Sequence, residues 1–167
     1  MRAAEAAAER LIRANADDVL AYFERRVRPR EDAGDLLSET LVVVWRRWRL
    51  CPQDPEEQRR WVFTIAGHVL ANHRRGVTRR HALGQRLRGH LATVETTYEH
   101  RDGSDVQEAV ASLPDEQREL VMLVHWDGFT VADAAQILGV GASTARSRHA
   151  AAKARLRSLL APAPAES

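Results

Sequence analysis

Cysteine is nearly missing from this sequence, and so is lysine: Cys51 stands alone, and 24 of the 25 cationic side chains are arginine. A single thiol excludes an internal disulfide framework and a cysteine-based zinc finger, and it fits a reducing compartment, with cytoplasm the default. No apolar run approaches the roughly 18–20 residues needed to cross a bilayer. The Ala-rich start, broken by Arg2, Glu5, Glu9 and Arg10, is no signal peptide. A strong charge of one sign is also missing, since 25 cations oppose 23 acids for a formal +2. Bulk charge therefore does not mark a nucleic-acid binder, and that claim must rest on where the charges lie. At 167 residues and 44% hydrophobic, the chain can build the core of one domain or of two small ones.

Catalytic and metal-binding patterns are lacking too. His68 and His73 are five apart, not the four that share a helical face, and His81, His90, His100 and His125 have no matching carboxylate or thiol cluster. No Ser/His/Asp order or phosphate-cradling glycine loop is present, so no enzyme activity, metal or cofactor is expected. Cys51 beside Pro52 reads as an incidental exposed thiol.

What is present is helical spacing, because apolar residues recur at three and four while strict alternation is never sustained. The chain is read as all-α: two small helical domains joined by a flexible linker, the second a helix-turn-helix. Glu9 to Arg28 predicts two consecutive helices broken near Asn15–Asp17 and closed by Pro29. Asp32 to Trp48 predicts a helix whose stripe of Leu36, Leu37, Thr40, Leu41, Val44, Trp45 and Trp48 faces a core. Pro52 and Pro55 make Leu50–Glu57 an exposed loop. From about Gln58 to Arg74 a further helix buries Trp61, Ile65 and Val69, leaving Thr64, His68, Asn72 and Arg75 on a polar face. Trp61 is open to two readings, core residue or stacking platform. The pattern weakens from His81, and His100–Ser104 has a hinge composition. The domains are therefore set at 1–88 and 105–161, with a linker at 89–104 and a disordered tail at 162–167.

In the second half, helices are expected over Asp105–Ser112 and Pro114–Trp126, with Trp126 in the core. Thr130 to Leu138 follows, capped by Thr130, with Asp133 at capping-box spacing and Gly139 as the stop. Ser143 to Leu160 comes last, capped by Ser143. Charge divides sharply here: Asp105 to Asp133 holds seven acids and one arginine, whereas Ala134 to Leu160 has five cations and no acid. A second acid-free run, Arg74 to His90, carries six arginines. Two separated cationic zones suit an acidic polymer, because each cation set on a phosphate releases counterions; solvated basic faces are the bland alternative.

Thr130–Leu160 has the punctuation of a helix-turn-helix: TVADAAQIL, the turn GVGA, then STARSRH opening the second helix. Residues near that helix's start reach base edges while its free amide groups favour phosphate. Arg146 suits a bidentate contact to guanine, Ser143, Thr144 and Ser147 suit bases or phosphate, and Arg148, Lys153 and Arg155 suit the DNA backbone. A hairpin used only for protein contacts is the alternative, with Val131, Ala135, Ile137, Leu138, Val140, Leu156 and Leu159 core in either case.

The stretch LPDEQRELVMLVHWDGFTVADAAQILGVGASTARSRHAAAKARLRSLL, Leu113–Leu160, resembles the promoter-recognition domain of extracytoplasmic-function sigma factors of bacterial RNA polymerase. DAGDLLSETLVVVWRRW, Asp32–Trp48, resembles that family's polymerase-binding helix, and WVFTIAGHVLANHRRGVTRR, Trp61–Arg80, its helix for the minus-10 element. The resemblance implies that Asp35, Leu36, Glu39 and Thr40 pack on the coiled coil of the polymerase's largest subunit. It implies that His68, Asn72 and Arg75, with Trp61 and Arg79, meet the melted minus-10 strand, that loop 50–57 holds an unstacked base, and that Thr144, Arg146, Ser147 and Arg148 enter the minus-35 major groove. Core RNA polymerase, promoter DNA and an inhibitory anti-sigma factor are the implied partners. Four positions depart from the family: Gly141 stands for Ser, Ala145 for Val, His149 for Leu, and Ala151 for a frequent basic residue. His149 is read as a DNA contact or as a half-buried core substitute. The rival functions are a stand-alone dimeric helix-turn-helix regulator that ignores polymerase and, with no constellation to recommend it, a nucleic-acid-processing enzyme.

Overall fold

A computed structural model describes residues 2–87 and 105–161, so the expected linker, 89–104, and tail, 162–167, lie outside the described residues. Among the described residues there are helices and turns and no strand, in two compact units, Met1–Ala92 and Thr93–Ser167. The all-α, two-unit expectation holds.

The first unit packs α1 (Arg2–Glu24), α2 (Asp32–Arg47) and α3 (Pro55–Leu87) against one another. Helix α1 runs unbroken through Asn15–Asp17, where the sequence predicted a break. Asn15 is buried, and its Nδ2 donates to the Leu11 carbonyl oxygen at 2.9 Å. The amide is satisfied one turn back along the helix and does not compete with it. Ala8, Leu11, Asn15, Val19, Tyr22 and Phe23 form the buried stripe, and Tyr22 meets Phe63 of α3 edge-on with ring centroids 5.5 Å apart. Helix α2 buries Ala33, Leu36, Thr40 and Val44 at spacings of three and four. Trp45, expected in the core, is 50% exposed, because one residue beyond Val44 turns about 100° away from the buried stripe. Trp48 is half-buried in a 3-10 turn, Trp48–Leu50.

Two further expectations change at the α2–α3 connection. Cys51 is buried, not exposed. Helix α3 begins at Pro55, three residues earlier than expected, because Asp54 Oδ2 accepts from the amides of Glu56 and Glu57 at 3.0 Å each and proline costs no bond in the first turn. At its other end α3 continues thirteen residues past the expected Arg74, to Leu87. Its core residues, Val62, Phe63, Ile65, Ala66, Val69 and Leu70, all precede residue 71, and no described side chain from 71 to 86 is buried. Without a buried stripe among the described residues of this stretch, its apolar residues keep no period, which is why periodicity missed it.

The second unit holds α4 (Asp105–Ala111), α5 (Asp115–His125), α6 (Val131–Leu138) and α7 (Ala142–Leu160), with α4, α5 and α6 each packed on α7. Leu120, Val121, Met122 and Leu123 of α5, Phe129, and Ala134, Ala135 and Ile137 of α6 supply the core. Trp126, also expected there, lies at the end of α5 and is 43% exposed; Leu159, near the end of α7, is 50% exposed. Trp126 instead lines an open apolar cleft with Val106, Val110, Leu156 and Leu160. Thr130 caps α6 as expected: its Oγ1 accepts from the Asp133 amide at 3.0 Å and donates to Asp133 Oδ2 at 2.7 Å. Gly139, at φ 66°, ends α6 in the left-handed region. The cap of α7 is Gly141, with no side-chain hydrogen bond, and the expected cap Ser143 lies inside the helix.

Candidate nucleic-acid interface

Helices α6 and α7 form the expected helix-turn-helix, and the short turn Gly139–Gly141 aims the N-terminus of α7 outward. Only Ala145 and Ala152 of α7 are buried. Ser143, Thr144, Arg146 and Ser147 are therefore all exposed in its first two turns, with Lys153 and Arg155 exposed beyond them. No acid lies in the first turn, so the helix dipole and the free amides favour an anion there. Arg146, His149, Ala150, Lys153 and Arg157, with Val131 of α6, line an open cationic basin of about 230 Å³.

Arg148 stands apart from this set. It is half-buried, and its guanidinium meets Glu116 Oε2 of α5 at 2.7 Å. Arg148, expected at the DNA backbone and in the minus-35 groove, ties α7 to α5 in the structure. His149 is half-buried as well, stacked on His125 with Nε2 to Nε2 at 3.2 Å. Burial, then His125, then Lys153 hold the His149 pKa below its ordinary value. The sequence left His125 without a partner, because the two histidines lie 24 residues apart and only packing brings them together.

In the first unit, α3 places Trp61, His68, Asn72, Arg75 and Arg79 within about 60° of arc on one side of a single helix, a stripe about 27 Å long at 1.5 Å per residue. Trp61 is half-buried and the other four are exposed. Arg75 donates to Asn72 Oδ1, so the two present one linked polar surface. Arg86, exposed and seven residues beyond Arg79, continues this stripe. Sequence reasoning placed Arg86 only in a basic run, although its spacing of seven was the available signal.

Helix α2 divides its candidate residues. Asp35 and Glu39 are exposed, whereas Leu36 is 5% exposed and Thr40 not at all. The Thr40 hydroxyl donates to the Leu36 carbonyl oxygen at 2.8 Å. Leu36 and Thr40 thus face the unit's own core instead of a partner. The accessible side joins Asp35 and Glu39 to Val42 and Trp45, both about half exposed, an apolar surface the sequence reading did not assign. Among the described residues no group of three His, Cys, Asp or Glu side chains is arranged to hold a metal ion. Nor is any described helix long and apolar enough to cross a membrane.

Two families match the chain: Sigma-70 region 2 over residues 11–80 and Sigma-70 region 4 over residues 104–156. The RNA polymerase sigma-E factor of Streptomyces avermitilis is 30% identical over 152 residues, covering 89% of this chain and 82% of that protein. The extracytoplasmic-function sigma factor SigL of Mycobacterium tuberculosis is 28% identical over 153 residues, 87% of this chain and 85% of its own. Among solved structures, the sigma factor RpoE of Bartonella quintana, crystallised with the anti-sigma factor NepR, matches with a TM-score of 0.64 at 25% identity, over 96% of this chain and 98% of that one. CnrH, solved with the cytosolic domain of CnrY, shares the fold with a TM-score of 0.65 at 20% identity, over 93% and 88% of the two chains.

Proposed function

Because this chain belongs to the extracytoplasmic-function group of the sigma-70 family, we propose that it binds core RNA polymerase and directs promoter-specific initiation, reading minus-35 duplex and minus-10 melted DNA. The observation that carries this reading is the pairing, in one chain, of an exposed recognition helix with a one-sided polar and arginine stripe. At the minus-35 element, Arg146 with Ser143, Thr144 and Ser147 meets base edges, while Lys153 and Arg155 meet phosphates. Arg148 sets the helix against Glu116 and assists at the same backbone. At the minus-10 element, His68, Asn72, Arg75 and Arg79 follow the strand, and the half-exposed ring of Trp61 offers a stacking surface at one end.

Polymerase is held through α2, where Asp35 and Glu39 supply charge and Val42 and Trp45 supply apolar contact, with Leu36 and Thr40 keeping the helix seated beneath them. The protein acts by binding and not by turnover, in the cytoplasm with polymerase. Melting follows because the polymerase complex prefers the unpaired strand and so shifts a base-pairing equilibrium. An anti-sigma protein restrains the free chain, as NepR is found with RpoE. Run-off transcription with core polymerase on a randomised promoter library tests the reading. Selected promoters with two conserved elements support it, and a DNA-competent dimer that neither co-elutes with polymerase nor supports initiation overturns it.

A further inference from the structure

The contact between α5 and α7 holds two imidazoles, His125 at the last position of α5 and His149 in the third turn of α7, stacked with their planes 20° apart and ring centroids at 5.4 Å. We propose that this pair is a proton-sensitive latch that positions the recognition helix: closed while at least one imidazole is neutral, released when both are charged. With a neutral nitrogen on one ring, the other ring's N–H has an acceptor at 3.2 Å, and a first added proton leaves that hydrogen bond in place. A second proton turns both nitrogens into donors and sets two positive charges against each other.

The surroundings add to that repulsion. From its own helix, Lys153 acts on His149, and Arg146 and Arg157 line the same basin. From α5 the facing group is His125; of that helix's acids, Asp115 is paired with Arg118 and Glu116 with Arg148, and Glu119 lies six residues before His125. From α6 the basin receives only Val131, and Asp133 is held at the cap by Thr130. Helix α4, also packed on α7, carries Asp105 and Glu108. The electrostatic influences on His149 are those of His125 and Lys153, both raising the cost of its charged form. Because the folded chain disfavours the charged imidazole, stability is complete above the ordinary histidine value of 6.5 and is lost as pH falls below it.

The latch itself stands on this geometry, and its consequence for DNA rests on the minus-35 reading above. The experiment uses the full chain and three variants, His149→Leu, His125→Gln and the double change. Imidazole titrations by NMR are followed alongside binding to a selected minus-35 duplex and to a scrambled duplex between pH 8 and pH 5. The expected result is that His149 titrates in a shifted, two-step curve that becomes a single step nearer its ordinary value in His125→Gln. The preference of the natural chain for selected over scrambled DNA falls severalfold on acidification, while that of His149→Leu does not. A structural contact alone moves affinity at every pH and leaves the slope unchanged. Independent titration of the two rings, or equal pH slopes in the natural chain and His149→Leu, overturns the latch. Failure to prefer the selected duplex even at pH 8 counts against the minus-35 reading, and the titration curves then decide the latch by themselves.

Discussion

Replacing Ala145 with valine, the residue that the resemblance places there, should destabilise this chain. Ala145 and Ala152 are the two fully buried residues of α7, with Arg148, His149 and Leu156 partly buried beside them, and α6 presents Ala134 and Ala135 in the same unit. An interface built from alanines brings helix backbones close, so two added methyl groups must push α7 outward or force an unfavourable rotamer. Overpacking of this kind costs about 1–3 kcal/mol. The β-branched side chain adds a few tenths through helix propensity. For a unit of this size each kcal/mol lowers the unfolding midpoint by about 4–8 °C, which a thermal scan followed by circular dichroism resolves readily. The displacement should also reduce minus-35 binding, since Ala145 lies between Thr144 and Arg146. Ala145→Ser, of nearly unchanged volume, serves as control and should lose less. A valine variant as stable as the natural chain would show that the α6–α7 interface has room, and the close-packing argument would be wrong.

Other changes are expected to separate roles at the surface. Arg146→Ala should cost about 1–3 kcal/mol on the selected minus-35 sequence and relax the preference at one base pair, whereas Arg155→Ala should weaken all duplexes alike and reduce the salt slope by about one; binding isotherms at several salt concentrations check both. Gly141→Ser should stabilise the second unit by a few tenths of a kcal/mol. A Cβ at Gly141 would meet only Thr144 Oγ1 at 3.8 Å, and the new hydroxyl can cap α7; a loss of stability in urea titration would refute this. Cys51 should react slowly with a thiol reagent in the folded chain and promptly in urea, because burial raises its pKa and limits access; equal rates in both states would contradict its placement.

Helix existence was legible wherever one face of a helix meets a core, as in α2, α5 and α6, because burial imposes a period of three to four on the residues that pack. Local stops were legible as well: Thr130 and Gly139 bound α6 through interactions reaching only a few residues along the chain. The arginine-rich zones and the exposed start of α7 could be read from residue order, since charge and spacing are properties of the chain itself. The end of α3 beyond Arg80 was not legible, for the opposite reason, because no described side chain there is buried and so no apolar period is imposed.

Tertiary structure decided everything that depends on which elements meet. Trp45 and Trp126 look like core residues by spacing, yet each is only about half covered. Cys51 looks exposed beside Pro52 and is buried. The Arg148–Glu116 pair and the His125–His149 stack join residues more than twenty positions apart, so no local pattern encodes them. Sequence determines the faces that each helix owns; the packing of helices determines which face is hidden, which is shared and which is left for DNA or polymerase, because burial is a property of pairs of surfaces and not of one.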